Sequence, residues 1–229
     1  MAEHGALPAR RVMPEADAHE LLRKYHIPVV RTLIARDPDE ASRLFSELGG
    51  GPVVLKISSP DILHKTDVGG VRTMVRTADE VVDAFEGIMA SVRRLAPDAE
   101  IEGVSIQPHV ERGVEVIVGG LRDPQFGPVV MFGLGGVWIE LFKDVSYRLA
   151  PTTREKARRM MMEIRAAPVL RRFRGGVPVD IEGLADIIVA VSRMMAERSD
   201  LMEVDVNPIF ARRSGAIAVD VKVIKEVTG

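Results

Sequence analysis

The chain lacks several residue types and patterns, and each absence narrows its possible functions. None of its 229 residues is cysteine, which excludes a disulfide framework and thiolate chemistry and fits a reducing, cytoplasmic location. No apolar run approaches the roughly 20 residues of a membrane-spanning helix. The net charge of −2 provides no basic surface for nucleic acid or for an acidic membrane. We therefore expect a cytoplasmic protein that binds neither nucleic acid nor membrane.

Amides are scarce, which makes the few that occur informative. The chain has two glutamines, Gln107 and Gln125, and a single asparagine, Asn207.

Residues 1–12 contain no apolar signal core, so we expect a short mobile leader there. The apolar share of 46% is ample for a core within the remaining residues 13–229, in one domain or in two lobes.

The first half of the chain alternates between predicted strands and helices. A helix begins near Pro14, a strand follows over 27–35, and a second helix begins at Asp37-Pro38. After the strand PVVLKIS, a capping box at Thr77 starts a long helix. This β-α-β opening is typical of a small α/β lobe, which we place at about 27–105.

Strands follow one another directly in the middle of the chain. Direct succession predicts antiparallel pairing, with the first two strands joined as a hairpin. The predicted strands cover residues 102–110, 113–123, 127–136 and 138–151. With helices over 152–166 and from Asp180, they predict a larger antiparallel-sheet lobe flanked by helices. The fold class is thus α+β with an α/β lobe, and a cleft between such lobes is a natural ligand site.

The segment from Pro52 to Val71 carries the first candidate site. Its apolar strand ends on Lys56, its loop holds His64 and Lys65, and it closes on Gly69-Gly70. Lysine can neutralise phosphates, glycine permits close backbone approach, and imidazole can carry a phosphoryl group. The alternatives are a lysine leaving the strand for solvent, a solvated histidine and a plain turn, since the spacing is not that of a P-loop. The combination favours phosphoryl transfer to or from a nucleotide.

The last predicted hairpin carries alternating acids. In MEVDVNP, Glu203, Asp205 and Asn207 fall on one face of a strand, and the partner strand AVDVKV presents Asp220. Two or three carboxylates and an amide oxygen suit Mg²⁺, and burying these acids without a cation would be costly. The alternative is a polar face exposed to water.

Two further features are candidates for nucleoside recognition. The bend formed by Gln107, Pro108, His109 and Val110 could expose backbone groups to a purine edge, and Glu115 on the next strand could hold ribose hydroxyls. An ordinary hairpin corner is the alternative, and the spacing alone does not decide between the two.

The longest strings of the sequence resemble a known family. The segments 53–71, 114–151, 203–208 and 218–223 are similar to the β subunits of the ADP-forming acetyl-CoA synthetases, in the NDP-forming acyl-CoA synthetase family of the ATP-grasp superfamily. The resemblance covers nearly the whole chain after the leader. It implies an ATP-grasp fold, in which a small lobe and a sheet-rich lobe clamp ATP between them.

The resemblance also implies a reaction. Acyl-CoA, ADP and phosphate would be converted to carboxylate, CoA and ATP, with ATP or ADP and Mg²⁺ as cofactors. A separate CoA-binding α subunit would carry the acyl chemistry, in an α2β2 assembly. His64, beside Lys65, would relay the phosphoryl group on a swinging loop as a phosphohistidine.

Roles for the other candidates follow from the same resemblance. Lys56 and the glycine pair would hold nucleotide phosphates, the bend 107–110 would face adenine, and Glu115 would bind ribose. The magnesium positions fall on Asp205, Asn207 and Asp220, with Glu203 as the alternative acid. Two other functions remain open on the sequence: an ATP-grasp ligase that passes an acyl-phosphate to an amine, and a nucleotide-sensing module without catalysis.

Overall fold

The computed structural model describes residues 9–62, 64–136, 143–171 and 178–227, which separate into two compact units. The smaller unit comprises residues 14–16 and 30–111, and the larger unit takes the rest of the described chain. The small lobe expected over about 27–105 thus corresponds to a unit that extends to Glu111. None of the described helices combines the length and apolarity needed to cross a lipid bilayer.

Eleven strands and six helices are present in the described residues. In chain order they are β1 (Ala9–Val12), α1 (Glu15–Lys24), β2 (Leu33–Ala35), α2 (Pro38–Glu47), β3 (Val53–Ser58), β4 (Val71–Val75), α3 (Ala78–Leu95), β5 (Gly103–Pro108), β6 (Val114–Asp123), β7 (Gly127–Leu134), β8 (Val145–Leu149), α4 (Arg154–Glu163), α5 (Ala167–Arg171), α6 (Ile181–Glu197), β9 (Leu201–Arg212), β10 (Gly215–Ala218) and β11 (Val221–Val227).

The smaller unit is a four-stranded sheet in the order β2-β5-β3-β4, with every neighbouring pair antiparallel. Its apolar residues form one core with helices α2 and α3, because alternate residues of β3 and β5 point to the same side. The helix starts are fixed by their predicted caps. Asp37 accepts a hydrogen bond from the Glu40 amide at 2.7 Å, and Thr77 accepts one from the Glu80 amide at 3.2 Å.

The larger unit is built on a sheet in the order β1-β11-β9-β6-β7-β8, with β10 paired to β9. All its pairs are antiparallel, as the direct succession of strands predicted. One face of this sheet packs against helices α1, α4 and α6 around side chains such as Phe132, Leu184 and Met194, which are fully buried. Strand β9 lies in the interior of the sheet, between β6 and β11.

Three expectations about the strands are wrong. The hairpin predicted between β5 and β6 does not form, because β5 lies between β2 and β3 in the smaller sheet while β6 pairs with β7 and β9. Residues 9–12 are not part of a mobile leader, because their backbone pairs with the edge of β11. The segment 27–35 is a strand only over Leu33–Ala35. Residues 1–8 and part of the predicted strand 138–151 lie outside the described residues.

The guanidinium of Arg122 binds three backbone carbonyl groups of the larger unit. It donates hydrogen bonds to the carbonyl oxygens of Met195 at 2.8 Å, Arg198 at 2.9 Å and Leu201 at 3.1 Å. These carbonyls lie at and just beyond the C-terminus of α6, where helical partners run out. Arg122 therefore caps the helix and connects it to β6 and β9.

We predict that Arg122→Ala lowers the free energy of unfolding of the chain by roughly 2–4 kcal/mol, because three half-buried carbonyls lose a charged donor. Chemical denaturation of the purified chain measures this change. Arg159→Ala is the control, since its ion pair with Glu155 is exposed and should matter by less than about 0.5 kcal/mol. Equal effects of the two substitutions would contradict the capping role.

Candidate functional site

One face of the smaller sheet is polar although its residues are buried. Lys56 lies within β3 rather than at its end, is 8% exposed, and is paired in register with Ser105 of β5. Gln107 lies two residues further along β5 on the same face, and its Oε1 accepts a hydrogen bond from the Thr32 hydroxyl at 3.3 Å. A buried face with a lysine and an amide is suited to recognising a polar, negatively charged ligand.

The histidine loop, residues 64–70, leads into β4. His64 is exposed, so its imidazole is accessible to a reactant. Lys65 beside it forms an ion pair with Glu15, with 3.3 Å between Nζ and Oε2. The amide of Gly70 donates to the carbonyl oxygen of Lys65 at 2.8 Å, which closes the loop on itself. The exposed histidine therefore lies directly before the residue on which the loop closes.

Packing within the smaller unit accounts for the glycine pair. Gly69 has a φ of +66°, and a Cβ there would lie 2.6 Å from Oγ of Ser91 on α3. A Cβ at Gly70 would lie 2.6 Å from Cγ2 of Ile57 and 2.8 Å from the carbonyl oxygen of Lys65. Any larger side chain would push the histidine loop away from β3 and α3. A role of either glycine in holding phosphates stays a prediction.

The residues predicted to face adenine do not form a hairpin corner. Gln107 and Pro108 are the last residues of β5, paired opposite Val54 and Val53 of β3. His109 is exposed, its backbone amide donates to the carbonyl oxygen of Pro52 at 2.7 Å, and Val110 follows it half-buried. The strand thus continues through the predicted bend because β3 offers it a pairing partner. The contact with adenine stays a prediction.

Glu115 lies in the larger unit, near the start of β6 and opposite Phe210 of β9. Its carbonyl oxygen accepts a hydrogen bond from the Gly135 amide at 2.8 Å. A Cβ at Gly136, where φ is +65°, would come within 3.0 Å of Oε2 of Glu115. A side chain at residue 136 would therefore crowd this half-buried carboxylate. The ribose contact stays a prediction.

The predicted magnesium residues come together around the interior strand β9. Asp205 lies directly opposite Lys222 of β11 and shares its face of β9 with Glu203. The Asn207 side chain forms a hydrogen bond with Asp205. The backbone amide of Asn207 donates to the carbonyl oxygen of Asp220 at 3.2 Å. Asp220 lies in the break between β10 and β11 rather than on a strand. We call Asp205, Asn207 and Asp220 the acidic set.

The ionisation of Asp205, one member of the acidic set, is disturbed by its surroundings. Its pKa is raised to about 6, first by burial and then by the negative charge of Glu203, with a further contribution from Asp220. Lys222 and a hydrogen bond with Asn207 act in the opposite direction. The Oδ1 atom of Asp205 is buried without a hydrogen-bond partner among the residues that the structure describes. A nearby cation would favour its charged form.

The side chains of the acidic set are of the chemical types that bind a hard divalent cation. Across the described ranges, no group of three or more histidine, cysteine, aspartate and glutamate side chains is arranged to hold a metal ion. The acidic set offers two carboxylates and one amide, which are oxygen ligands of the kind that Mg²⁺ takes together with water and phosphate oxygens. The orphaned Oδ1 of Asp205 is the atom that such an ion would satisfy.

Two charged residues of these surroundings are missing from the sequence-based prediction. Lys222 was not considered, although it follows Asp220 by two residues and the alternation of VDVKV places it on a definite face. Glu15 was also missed, because its partner Lys65 lies 50 residues away and no local pattern connects them.

Comparisons with known proteins point to one family. The chain is 49% identical over 187 residues to the β subunit of acetate–CoA ligase [ADP-forming] I from Pyrococcus furiosus, covering 82% of this chain and 80% of the relative. Dinucleotide-forming acetyl-coenzyme A synthetase 1 of Ca. Korarchaeum cryptofilum, solved with coenzyme A, Ca-AMPCP and HgCl+, matches with a TM-score of 0.91 and 44% identity, over 94% of each chain.

Another structure of the Korarchaeum enzyme contains coenzyme A and Mg-AMPPCP, with its phosphohistidine segment pointing towards the nucleotide-binding site. It matches with a TM-score of 0.83 and 40% identity, over 94% of this chain and 93% of the other. The family model described as the ATP-grasp domain matches residues 6–224. This chain therefore belongs to the ATP-grasp family, among the β subunits of the ADP-forming acetyl-CoA synthetases.

Proposed function

We propose that this chain is the nucleotide-handling subunit of an ADP-forming acyl-CoA synthetase. With a CoA-binding α subunit it converts acyl-CoA, ADP and phosphate to carboxylate, CoA and ATP. The observation that carries this proposal is the exposed His64 beside a loop that closes on Lys65, in a chain with this family membership. The cytoplasm, which supplies ADP and CoA, is the location that we assign to it.

Within each unit by itself, this proposal assigns residues to nucleotide handling. The ammonium of Lys56, presented on the buried polar face of the smaller sheet, binds nucleotide phosphates as a point charge. The glycine pair allows backbone amides to approach the phosphates, and residues 107–110 contact adenine. In the larger unit, Glu115 accepts hydrogen bonds from the ribose hydroxyls.

The acidic set is our assignment for magnesium binding. Asp205, Asn207 and Asp220 would hold the ion, and Glu203 adjusts the charge around Asp205. When bound, Mg²⁺ neutralises the phosphate oxygens on which negative charge accumulates during transfer. Lys222, opposite Asp205 in the register, limits the net negative charge of this part of the sheet.

His64 is the covalent carrier in this scheme, assisted by the positive charge of Lys65. In the direction of ATP formation, the P–N bond of phosphohistidine breaks and a P–O bond forms to a terminal oxygen of ADP. The phosphohistidine already carries a proton on its second ring nitrogen. That proton stays on the ring when the imidazole leaves in its neutral form, so the charges balance. The histidine thereby divides a transfer between two distant sites into two steps.

A sheet face of the larger unit supports the proposal of a partner subunit. The register aligns Leu121, Val129 and Leu149 across β6, β7 and β8, and Met131 beside Tyr147 on the same face. Leu121, Tyr147 and Leu149 are 50%, 55% and 61% exposed, which is unusual for neighbouring apolar side chains on a sheet face. We call these five residues the apolar sheet face.

The α subunit is the occupant that we assign to the apolar sheet face. Leu121 lies opposite Glu203 of β9 in the register, so this face continues into the strand that carries the acidic set. An exposed apolar surface that continues to this strand supplies binding energy for the association of a second subunit. The relative from Pyrococcus furiosus carries the designation of a β subunit, and we propose an α2β2 assembly for this chain.

We predict that His64→Ala lowers the rate of ATP formation by at least about 1,000-fold, the scale of loss when a covalent nucleophile is removed. The measurement combines the chain with its α partner, acyl-CoA, phosphate and Mg-ADP. His26→Asn, at another exposed histidine outside the proposed site, is the control and should retain the wild-type rate. An undiminished rate in His64→Ala would reject the relay.

Asp205→Asn should stabilise the free chain above pH 6. An acid whose pKa is raised from 3.8 to about 6 by folding favours the folded state below pH 3.8 and loses that advantage as pH rises to about 6. The amide removes this loss, worth roughly 1–3 kcal/mol at pH 7.5, and the gain shrinks at pH 4. Denaturation at both pH values measures it, with Asp83→Asn, exposed on α3, as control. A destabilisation at pH 7.5 would contradict the electrostatic assignment.

We predict that Leu149→Glu weakens assembly with the α subunit by roughly 10-fold to 100-fold in Kd, because a charge is buried at an apolar contact. Light scattering during size-exclusion chromatography measures both the mass and the affinity of the assembly. Leu95→Glu is the matched control, since Leu95 is 49% exposed at the end of α3 and outside the apolar sheet face. Unchanged assembly of Leu149→Glu would place the α subunit elsewhere.

A further inference from the structure

A lysine lies beside the acidic set, where its charge repels a cation. Lys222 of β11 is paired directly opposite Asp205 of β9, and both belong to the larger unit. The Cβ atoms of directly opposed residues on antiparallel strands lie about 5 Å apart, so the two side chains are close neighbours on one face of the sheet. Lys222 is half-buried, and its charge is therefore only partly screened by salt.

The other charges around Asp205 are negative. Glu203 and Asp220 both disfavour the charged carboxylate of Asp205, and Lys222 supplies the positive charge that favours it. The folded chain thus places a counter-charge of its own beside the proposed cation ligands. A free divalent ion that binds there must overcome the repulsion of this ammonium group.

The sheet offers Asp205 no second counter-charge in the same row. On the side of β9 away from β11, the register places Gly119 of β6 opposite Asp205. The Cε atom of Met131 lies 3.0 Å from the position that a Cβ of Gly119 would take, so an apolar methyl group covers this side. Within this row, Lys222 is therefore the residue that compensates the charge of Asp205.

This compensation leaves one ligand atom of Asp205 unused. The Oδ1 atom of Asp205 is buried and accepts no hydrogen bond from any residue that the structure describes. Lys222 therefore acts on the carboxylate through its charge and does not occupy this oxygen. The oxygen stays available to an ion, while the lysine determines how strongly an ion of a given net charge is attracted.

We propose that Lys222 makes cation binding at the acidic set depend on the nucleotide. The inference rests on the proposed assignment of magnesium to the acidic set, and it adds the residue that selects the form in which the ion binds. Lys222 repels a free divalent ion, whereas it attracts the complex of Mg²⁺ with ADP, because that complex has a net negative charge. Lys222 is thus a specificity-determining residue that favours the metal–nucleotide complex over the ion alone.

Binding of Mn²⁺ to the full chain tests this proposal, with the loss of the electron paramagnetic resonance signal of the free ion as the measurement. In Lys222→Met, the affinity for Mn²⁺ without nucleotide should rise roughly 10-fold, because a positive charge near the divalent ion is removed. The affinity for Mn-ADP should fall or stay within about twofold of the wild-type value, because the lysine no longer attracts the complex. Lys222→Arg keeps the charge and should bind both as the wild type does.

Lys225→Met is the matched control. It is the same substitution on the same strand, but Lys225 acts on Asp200, outside the acidic set. Both affinities should keep their wild-type values in this variant. If Lys222→Met does not fold, Lys222→Gln provides the same comparison.

Two outcomes would overturn the proposal: an unchanged Mn²⁺ affinity in Lys222→Met, or an equal rise in the affinities for Mn²⁺ and Mn-ADP. Asp205→Asn distinguishes this failure from a failure of the proposed function. Wild-type Mn²⁺ affinity in Asp205→Asn would reject the acidic set as the cation site. Weakened binding in Asp205→Asn, together with no effect of Lys222→Met, would reject the role of Lys222 alone.

Discussion

The negative charge of Glu203 and Asp205 on β9 and of Asp220 beside β11 is the main electrostatic constraint on the larger unit. A strand paired on both sides cannot turn its side chains away from its neighbours, so Asp205 keeps Glu203, Asp220 and Lys222 close in every molecule. Burial raises the pKa of Asp205 to about 6, which means that the folded chain alone resists ionising it. In the proposed function, a divalent cation held by the acidic set favours the charged form of Asp205.

In the proposed function, the smaller unit carries the residues that handle the phosphoryl group. Its sheet buries a lysine on one face and an apolar core on the other, and the strand that carries the lysine leads towards the histidine loop. Two glycines without room for a Cβ end that loop. In the proposed function, the exposed imidazole of His64 accepts a phosphoryl group at one site and passes it on at another.

Much of this architecture could be predicted from the sequence, because it depends on local patterns. Helix caps at Asp37 and Thr77, the alternation that gathers Glu203, Asp205 and Asn207, and the antiparallel succession of β6 and β7 are all signals within a few residues. The family resemblance, confirmed by the comparisons, supplied the reaction. The candidate site residues likewise follow from short sequence patterns and from that resemblance.

The errors share a different physical origin, which is pairing between distant parts of the chain. Residues 9–12 form a strand because β11, more than 200 positions away, offers them an edge. The hairpin expected between β5 and β6 fails because β5 fits between β2 and β3, and backbone hydrogen bonds carry no sequence code that distinguishes these partners. The ion pair of Glu15 was not predicted for the same reason, since only the folded chain brings Glu15 to Lys65.

The central claim is that the acidic set binds the divalent cation that accompanies the nucleotide. Substituting Mn²⁺ for Mg²⁺ tests it most directly, because the paramagnetic ion broadens the amide signals of residues near it. In the presence of ADP, the account predicts selective broadening around Asp205, Asn207 and Asp220. Broadening confined to other parts of the chain, with these signals unaffected at saturating Mn²⁺ and ADP, would contradict it.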